Sequence, residues 1–454
     1  MRDIAHRHIP TAPGALPFIG NIPQLRRRPL DFVRSLRSHG DIVRFRLGPR
    51  VAYAVNSPAL LQQMLVADAR LFEKGKMFAK GRLVSRNGLF TSEGDFHLRQ
   101  RRLIQPAFHK ARIRHYTGAM HELARERVDS WQDGQEILLD QELLSLSLAT
   151  VTKALFSTSI GKRLSEDVRR ALPIILDGLG RRALAPIDAL DRLPTPMNRR
   201  FDRALATLKN VVHRIIADYR ADTDGGLASG DLLSMLLTAR DEETGAGMSD
   251  EQVYDEVVAM LIAGAETTAG ALSWACYQLS RHDEVQQRLQ GELDGMLGGR
   301  RVEEVAYEDL RALGYEQQVI AETLRLHPST WMLMRQPITD VDLGGYRIPA
   351  GATVLFSIYA LHRDPELFPH PELFDPDRWR PDRAAKIPRG AYMPFGNGIR
   401  GCAGEQFARA ELAVFLSVIF SRCSIRPVPG KSVHPVTRLI TAPSSMPMIV
   451  QRRS

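Results

Sequence analysis

The stretch Pro394-Phe395-Gly396-Asn397-Gly398-Ile399-Arg400-Gly401-Cys402-Ala403-Gly404 is a glycine-rich loop that ends on a lone cysteine. An apolar helical pattern follows at once, from Glu405 to about Arg422, with a stripe through Leu412, Phe415, Leu416, Val418, Ile419 and Phe420. A cysteine at a helix N-terminus faces unsatisfied N–H groups and the positive end of the helix dipole, and both favour its thiolate. A thiolate is a strong iron ligand, and one axial cysteine leaves the other face of a haem open to oxygen. The glycines let backbone pass close to a flat macrocycle. Arg400, two residues before the sulfur, has the charge and reach for a haem propionate. The bland alternative is one more buried free cysteine. The spacing Phe-x-x-Gly-x-Arg-x-Cys-x-Gly weighs against it, since at average usage such a set arises by chance in a chain of this length on the order of once in ten thousand.

The rest of the composition narrows the class. The chain has 454 residues, 44% of them hydrophobic, enough for a large core. Three cysteines, Cys276, Cys402 and Cys423, are too few and too scattered for a disulfide framework, and no zinc-type spacing occurs. There is no run of 18 apolar residues, and the N-terminal MRDIAHRHIPTAPGALPF lacks a secretory apolar region. The expectation is a cytoplasmic monomer without a membrane anchor. Lys and Arg number 61 against 52 Asp and Glu, a formal +9. No nucleic-acid motif accompanies that charge, so an acidic protein partner is the better use of it.

Residues 1–29 carry five prolines and read as an extended arm, ahead of a single domain over 30–454. Leu30–His39 reads as a short helix, and Ile42–Leu47 with Val51–Val55 as a hairpin about Gly48-Pro49-Arg50. Phe72–Phe90 is loop-rich. From Ala119 to Ala221 the pattern is mainly helical, broken at Ala185–Asn198, and the polar stretch Arg220–Gly230 follows. Ser249-x-x-Gln252 is a capping box that opens the longest helix, about Asp250–Arg281, roughly 45 Å of it. Its apolar middle holds Ala263-Gly264-Ala265-Glu266-Thr267-Thr268. An acid and hydroxyls there are costly unless paired or used; a threonine bonded back to its own helix is the plain reading. Another helix, about Glu308–His327, carries Glu322 and Arg325 on one face. His97 and Arg101, four apart, share a face of a basic helix that could equally be solvated.

The cysteine loop resembles the haem-binding loop of the cytochrome P-450 family at Phe395, Gly398, Arg400, Cys402 and Gly404, and three further blocks follow the family's order and spacing. The resemblance implies a mainly α fold with a small β-rich region, with haem between the long central helix and the cysteine-loop helix. It implies haem b with Cys402 as axial ligand, Glu266 and Thr267 as the proton-handling pair, and Gly264 as one of the small residues that make room beside the iron. It implies propionate contacts from His97, Arg101, Arg335 and Arg400, with Phe395 and Gly404 shaping the loop. His97 stands where many members carry tryptophan. Glu322, Arg325 and Arg378 would form a structural ion network. The implied reaction inserts one atom of dioxygen into a C–H bond.

No flavin or ferredoxin module is legible in the sequence, so electrons from NAD(P)H are expected through a small acidic ferredoxin and its reductase. The basic strip Arg99–Arg114 is the candidate docking face. Pocket candidates are Phe78, Leu83, Leu89, Met260, Leu261, Trp331, Met332, Leu333 and Ile440, nearly all apolar. PGALPFIGNIPQL, LRSHGDIVRFRLGPR, LRQRRLIQPAF, LGGYRIPAGA and FDPDRW also resemble actinobacterial terpene oxygenases of the pentalenene and epi-isozizaene (albaflavenone) pathways. The expected substrate is a cyclic sesquiterpene. Two alternatives stay open: a fatty acid hydroxylase anchored by Arg82, Arg86 or Arg438, and a haem-thiolate protein that binds ligand without turnover or isomerises it.

Overall fold

The Ser249 capping box forms as expected: Ser249 Oγ accepts the Gln252 N–H at 3.3 Å and Gln252 Oε1 accepts the Ser249 N–H at 2.9 Å. It starts a helix of 32 residues, Asp250–Arg281, about 48 Å long. The computed structural model describes residues 6–75, 78, 80–156, 162–183, 193–221 and 230–453. Of the two breaks read at Ala185–Asn198 and Arg220–Gly230, residues 184–192 and 222–229 lie outside the described residues. Most described elements are helices and the strands are short, in agreement with a mainly α fold with a small β-rich region. Contacts group the chain into two compact units, 1–77 with 321–402 and 78–320 with 403–454, where the sequence reading had one domain over 30–454.

The first unit begins with the arm. Arg7 N–H donates to Gly345 O at 2.8 Å and Ala12 N–H to Arg44 O at 2.7 Å. Residues 22–27 of the segment read as extended are in fact helical, α1 (Ile22–Arg27). The reading took Pro23 as a breaker, but proline suits the first turn of a helix, where no N–H partner is needed. α2 (Pro29–Arg37) follows, then a five-stranded sheet whose strands, in order across it, are β1 (Ile42–Leu47), β2 (Arg50–Val55), β8 (Thr353–Phe356), β5 (Leu333–Pro337) and β3 (Phe72–Glu73), with β6 (Val341–Leu343) and β7 (Tyr346–Ile348) paired as a separate hairpin. β1–β2 is antiparallel with Ile42 opposite Val55, and β2–β8 is parallel with Ala52 opposite Thr353. Alternation sends Val43, Phe45, Ala52, Ala54 and Leu355 to one face, under Phe32, Val33 and Leu36 of α2. Ile42, Val55, Val354 and Phe356 face the other way, against Leu61, Met64, Leu65 and Phe72.

The second unit is a helical stack. Its elements are α3 (Gly94–Ile104), α4 (Lys110–Asp129), α5 (Leu139–Leu155), α6 (Lys162–Ala183), α7 (Pro196–Ala221), α8 (Asp250–Arg281) and α10 (Glu405–Arg422). α8 packs on α5 and α10, α10 on α4, and α6 on α7. α10 is apolar almost all round, which marks a helix buried on every side. α8 is the one helix among the described residues long and apolar enough to cross a membrane, and two-thirds of that stretch, 67%, is buried inside the protein. The helix read over Glu308–His327 is two: Tyr307–Ala312, then α9 (Gly314–Leu326) after an extended Leu313. β4 (Glu136–Leu138), β12 (Pro447–Arg452) and β9 (Cys423–Pro427) form a three-stranded sheet, and β10 (Pro435–Thr437) pairs with β11 (Thr441–Pro443).

Candidate functional site

In the first unit, the cysteine loop hangs from a buried ion network. Glu322 and Arg325 are both fully buried, and Arg325 grips the carboxylate with Nε and Nη2 at 2.8 Å each. Arg378 Nε reaches Glu322 Oε1 at 3.4 Å, Trp379 Nε1 reaches Oε2 at 2.9 Å and the Asp375 N–H reaches Oε1 at 3.0 Å. The outer nitrogens of Arg325 tie down carbonyls of His362 at 2.8 Å and Pro371 at 2.7 Å. Two cations around one acid, each with further oxygen partners, are what a buried charge needs to persist.

His362, which the sequence reading missed, carries this network to the loop. The Met393 N–H donates to His362 Nε2 at 3.0 Å, so the ring proton sits on Nδ1 and points at Arg325 O, 3.3 Å away. Burial first, then the nearby Arg325 charge, push the ring's pKa down to about 3, so it stays neutral. Met393 O in turn accepts the Gly396 N–H at 3.0 Å, and Phe395 O accepts the Cys402 N–H at 2.8 Å. No short-range signal marks His362, because its partners lie 37 and 31 residues away.

The loop itself is shaped for close approach. Gly398 has φ +70, and a Cβ there would lie 1.8 Å from Leu65 O, so only glycine fits. At Gly404 a Cβ would meet nothing nearer than Phe108 Cε1 at 3.7 Å, so the chain's own packing does not demand a glycine. Cys402 is exposed while Cys276 and Cys423 are buried, and burial pushes both of those thiols up, Cys276 to about 12. Two buried, protonated thiols and one exposed thiol beside a helix N-terminus leave Cys402 as the ligand candidate. Arg400 Nη2 donates to Phe72 O at 3.2 Å, and Arg335 is buried with its guanidinium 5.5 Å from the Phe356 ring centre.

In the second unit, the middle of α8 opens. Residues 253–259 and 268–276 are buried, yet Ala263 is exposed and Gly264, Glu266 and Thr267 are partly so. Thr267 Oγ1 donates to Ala263 O at 2.6 Å, the back-bonded arrangement. Burial pushes the Glu266 carboxyl above its usual range; Arg438 pulls it back and Asp177 adds to the rise. Arg438 stands 3.5 Å from Asp177 on α6. Gly264 has a packing reason of its own: a Cβ there would strike Val151 of α5 at 2.7 Å, and the neighbouring Ala263 is the more exposed small residue. On α3, His97 is buried with Nδ1 3.3 Å from Ser92 Oγ, and Arg101 lies one turn on, half-buried.

Several pocket candidates fall elsewhere. Trp331 and Met332 belong to the sheet cluster under α2, and Leu261 is fully buried in the helix stack. Leu83, by contrast, is 48% exposed. Trp331, Met332 and Leu261 serve the core, which a sequence cannot tell from a pocket wall. Phe78 is buried, its ring meeting that of Phe90 at 5.0 Å, while Leu89, Met260, Leu333 and Ile440 are partly exposed.

The residues fit a haem: one exposed thiol, a loop whose glycines permit close approach, and arginines for its propionates, Arg335 buried and Arg101 and Arg400 partly so. Comparison with known proteins agrees. The Cytochrome P-450 family model matches residues 10–449. Cyclooctat-9-en-7-ol 5-monooxygenase of Streptomyces melanosporofaciens is 43% identical over 443 residues, covering 98% of this chain and 95% of that one. Cyclooctatin synthase of the same organism is 42% identical over 443 residues, covering 97% and 95%. Pentalenene oxygenase of Streptomyces avermitilis is 40% identical over 427 residues, covering 94% and 93%. Among solved structures, the haem domain of cytochrome P450DA aligns with a TM-score of 0.87 at 27% identity, covering 99% of this chain and 98% of that one. Matched over nearly its whole length, the chain belongs to the cytochrome P-450 family.

Proposed function

We propose that the chain is a haem-thiolate monooxygenase that hydroxylates, or oxidises in successive steps, a cyclic terpene, a sesquiterpene being the narrower expectation. The observation that carries the chemistry is the exposed Cys402, on a loop braced through Met393 and His362 by the Glu322–Arg325 pair. Cys402 would hold the haem iron through its thiolate, and bound haem would supply insertion of one atom of dioxygen into a C–H bond. His97, Arg101, Arg335 and Arg400 would hold its propionates, and Phe395, Gly398 and Gly404 would let it lie close. Glu266 would pass protons at its carboxyl and Thr267 would hold a hydrogen bond at Oγ1.

The terpene reading rests on the relatives and on the basic side chains. Each arginine proposed as a fatty acid anchor has a partner of its own. Arg82 donates to Thr91 O at 3.5 Å, Arg86 pairs with Asp255 at 2.8 Å and with Glu251, and Arg438 faces Asp177. At Arg86 and Arg438 a carboxylate ligand would have to displace an internal acid.

Electrons would come from NAD(P)H through a ferredoxin and reductase. The strip Arg99–Arg114 offers such a partner less charge than its sequence suggests. Arg102 pairs with Asp241 at 3.0 Å and with Glu243 at 2.9 Å, Arg114 bonds Glu308 at 2.8 Å, and Arg99 donates to Gly247 O at 2.9 Å. The deciding experiment titrates the haem-loaded ferric protein with a cyclic terpene and, separately, with a long-chain fatty acid. A blue shift of the Soret band with the terpene alone supports this reading; a shift with the fatty acid alone transfers it to the fatty acid hydroxylase.

A further inference from the structure

The first unit ends, at one corner, in an apolar loop set among unneutralised arginines. Leu16 and Gly20 bond each other in both directions, at 3.0 and 2.9 Å, and close the three-residue loop Pro17-Phe18-Ile19. The Ile19 N–H donates to Pro17 O at 2.7 Å, which puts Phe18 at the apex of a γ-turn with φ 60. That conformation is strained for a residue with a side chain. It holds the ring out: Phe18 is 93% exposed, Leu16 51% and Ile19 46%. The Gly48 N–H donates to Ile19 O at 3.2 Å and Gly20 bridges to Leu47, so the loop lies against the tip of the β1–β2 hairpin, where Val51 is 39% exposed.

The segments next to the loop, α1 and the β1–β2 hairpin, are basic. Arg26, Arg27, Arg28, Arg44, Arg46 and Arg50 are all exposed, and none forms an ion pair among the described residues. Arg44 bonds only the Thr11 hydroxyl and Arg46 only Pro49 O. Arg46 stands directly beside the loop, its Cβ 2.6 Å from where a Cβ on Gly20 would sit. A strained aromatic apex whose flanking segments, the helix that follows it and the β1–β2 hairpin, expose six uncancelled cations is a poor solvent surface and a poor self-association surface, since two copies would repel.

We propose that the Leu16–Gly20 loop and the β1–β2 tip dock on the surface of an anionic phospholipid bilayer. The apolar side chains enter the headgroup–acyl boundary while the arginines collect phosphates around them. An acidic protein would meet the arginines but leave Phe18 in water; a bilayer matches both. An apolar substrate would dissolve in the same phase. That last link rests on the proposed function, but docking does not.

The test is sedimentation of the haem-loaded full chain with vesicles of phosphatidylcholine alone or of phosphatidylcholine with phosphatidylglycerol, at low and high salt. The expected result is binding to the anionic vesicles only, weakened by salt. Phe18→Gly keeps the turn, because glycine accepts φ 60 without strain, and should bind roughly tenfold more weakly. The triple change R26Q, R27Q, R28Q should weaken binding on the order of a hundredfold. Both variants should keep the parent's Soret spectrum and terpene shift, which separates failure of docking from failure of the functional reading. Equal binding to neutral and anionic vesicles, parental binding by Phe18→Gly, or lipid-free dimerisation that Phe18→Gly abolishes would each overturn the proposal.

Discussion

Glu322 and Glu266 are both acids taken out of bulk water, and the protein treats them in opposite ways. Glu322 accepts five hydrogen bonds, from Arg325 twice, Arg378, Trp379 and the Asp375 backbone. Glu266 accepts none among the described residues, and burial pushes its pKa up with Arg438 as the nearest restraint. A clamped carboxylate cannot take or give a proton without breaking its cage, so it serves architecture. An unclamped one keeps a proton to exchange, so it serves chemistry. The difference lies in the donors around each acid as well as in depth, since Glu322 is fully buried and Glu266 partly exposed.

The largest expected effect comes from opening the clamp. Glu322→Gln leaves Arg325 and Arg378 buried without a countercharge, a loss of about 3–5 kcal/mol. Denaturant unfolding should show it together with poor haem retention, because the loop at Cys402 depends on the same network. If Glu322→Gln unfolds like the parent and holds haem, the cage is not what secures the loop.

The reverse pattern is expected at Glu266. Glu266→Gln should leave unfolding within about 0.5 kcal/mol of the parent, while product formation falls on the order of a hundredfold and reducing equivalents go to waste. The direction of the pH effect follows from the raised pKa: the acid stays protonated to higher pH than an ordinary glutamate. Arg438→Leu removes the group that lowers it, so the alkaline limb of the rate profile should move to higher pH. An unmoved limb in Arg438→Leu, or full coupling in Glu266→Gln, would break the contrast.

Glu411 sharpens the comparison through the pH dependence of stability. It is fully buried on α10, its carboxyl has no hydrogen-bond partner among the described residues, and Ser147 faces it without reaching bonding geometry. Burial pushes its pKa up to about 8. A folded-state pKa above the unfolded value of 4.5 means that the folded state holds a proton the unfolded state has released. Its stability contribution is intact below the unfolded pKa and is lost as pH rises toward 8, by at most about 1.4 kcal/mol per pH unit. Glu411→Gln should flatten that slope in urea midpoints measured across the interval; an unchanged slope would show that Glu411 does not titrate there.

Much of this was legible in the sequence, and for a local reason. The cysteine loop, the capping box at Ser249 and the Glu322–Arg325 pair are each written within eleven residues or fewer, and their geometry follows from helix spacing and glycine freedom. The extended reading of residues 22–27 failed on a local rule misapplied, the proline of a first helical turn.

The sequence by itself determined the mainly helical class, and it singled out Cys402 as the candidate ligand and Glu266–Thr267 as the candidate proton-handling pair, because each candidate is a short pattern that needs no distant partner to be noticed. Only the tertiary structure decided who stands beside whom. It placed His362 under Met393, gave Gly264 its reason in Val151, sent Trp331 and Met332 to the sheet, paired Arg438 with Asp177 and left the arginines around Phe18 without acids. The physical reason is that packing and charge compensation act between residues tens to hundreds of positions apart. An apolar or charged side chain carries no mark in the sequence of whether its neighbour will be core, countercharge or solvent.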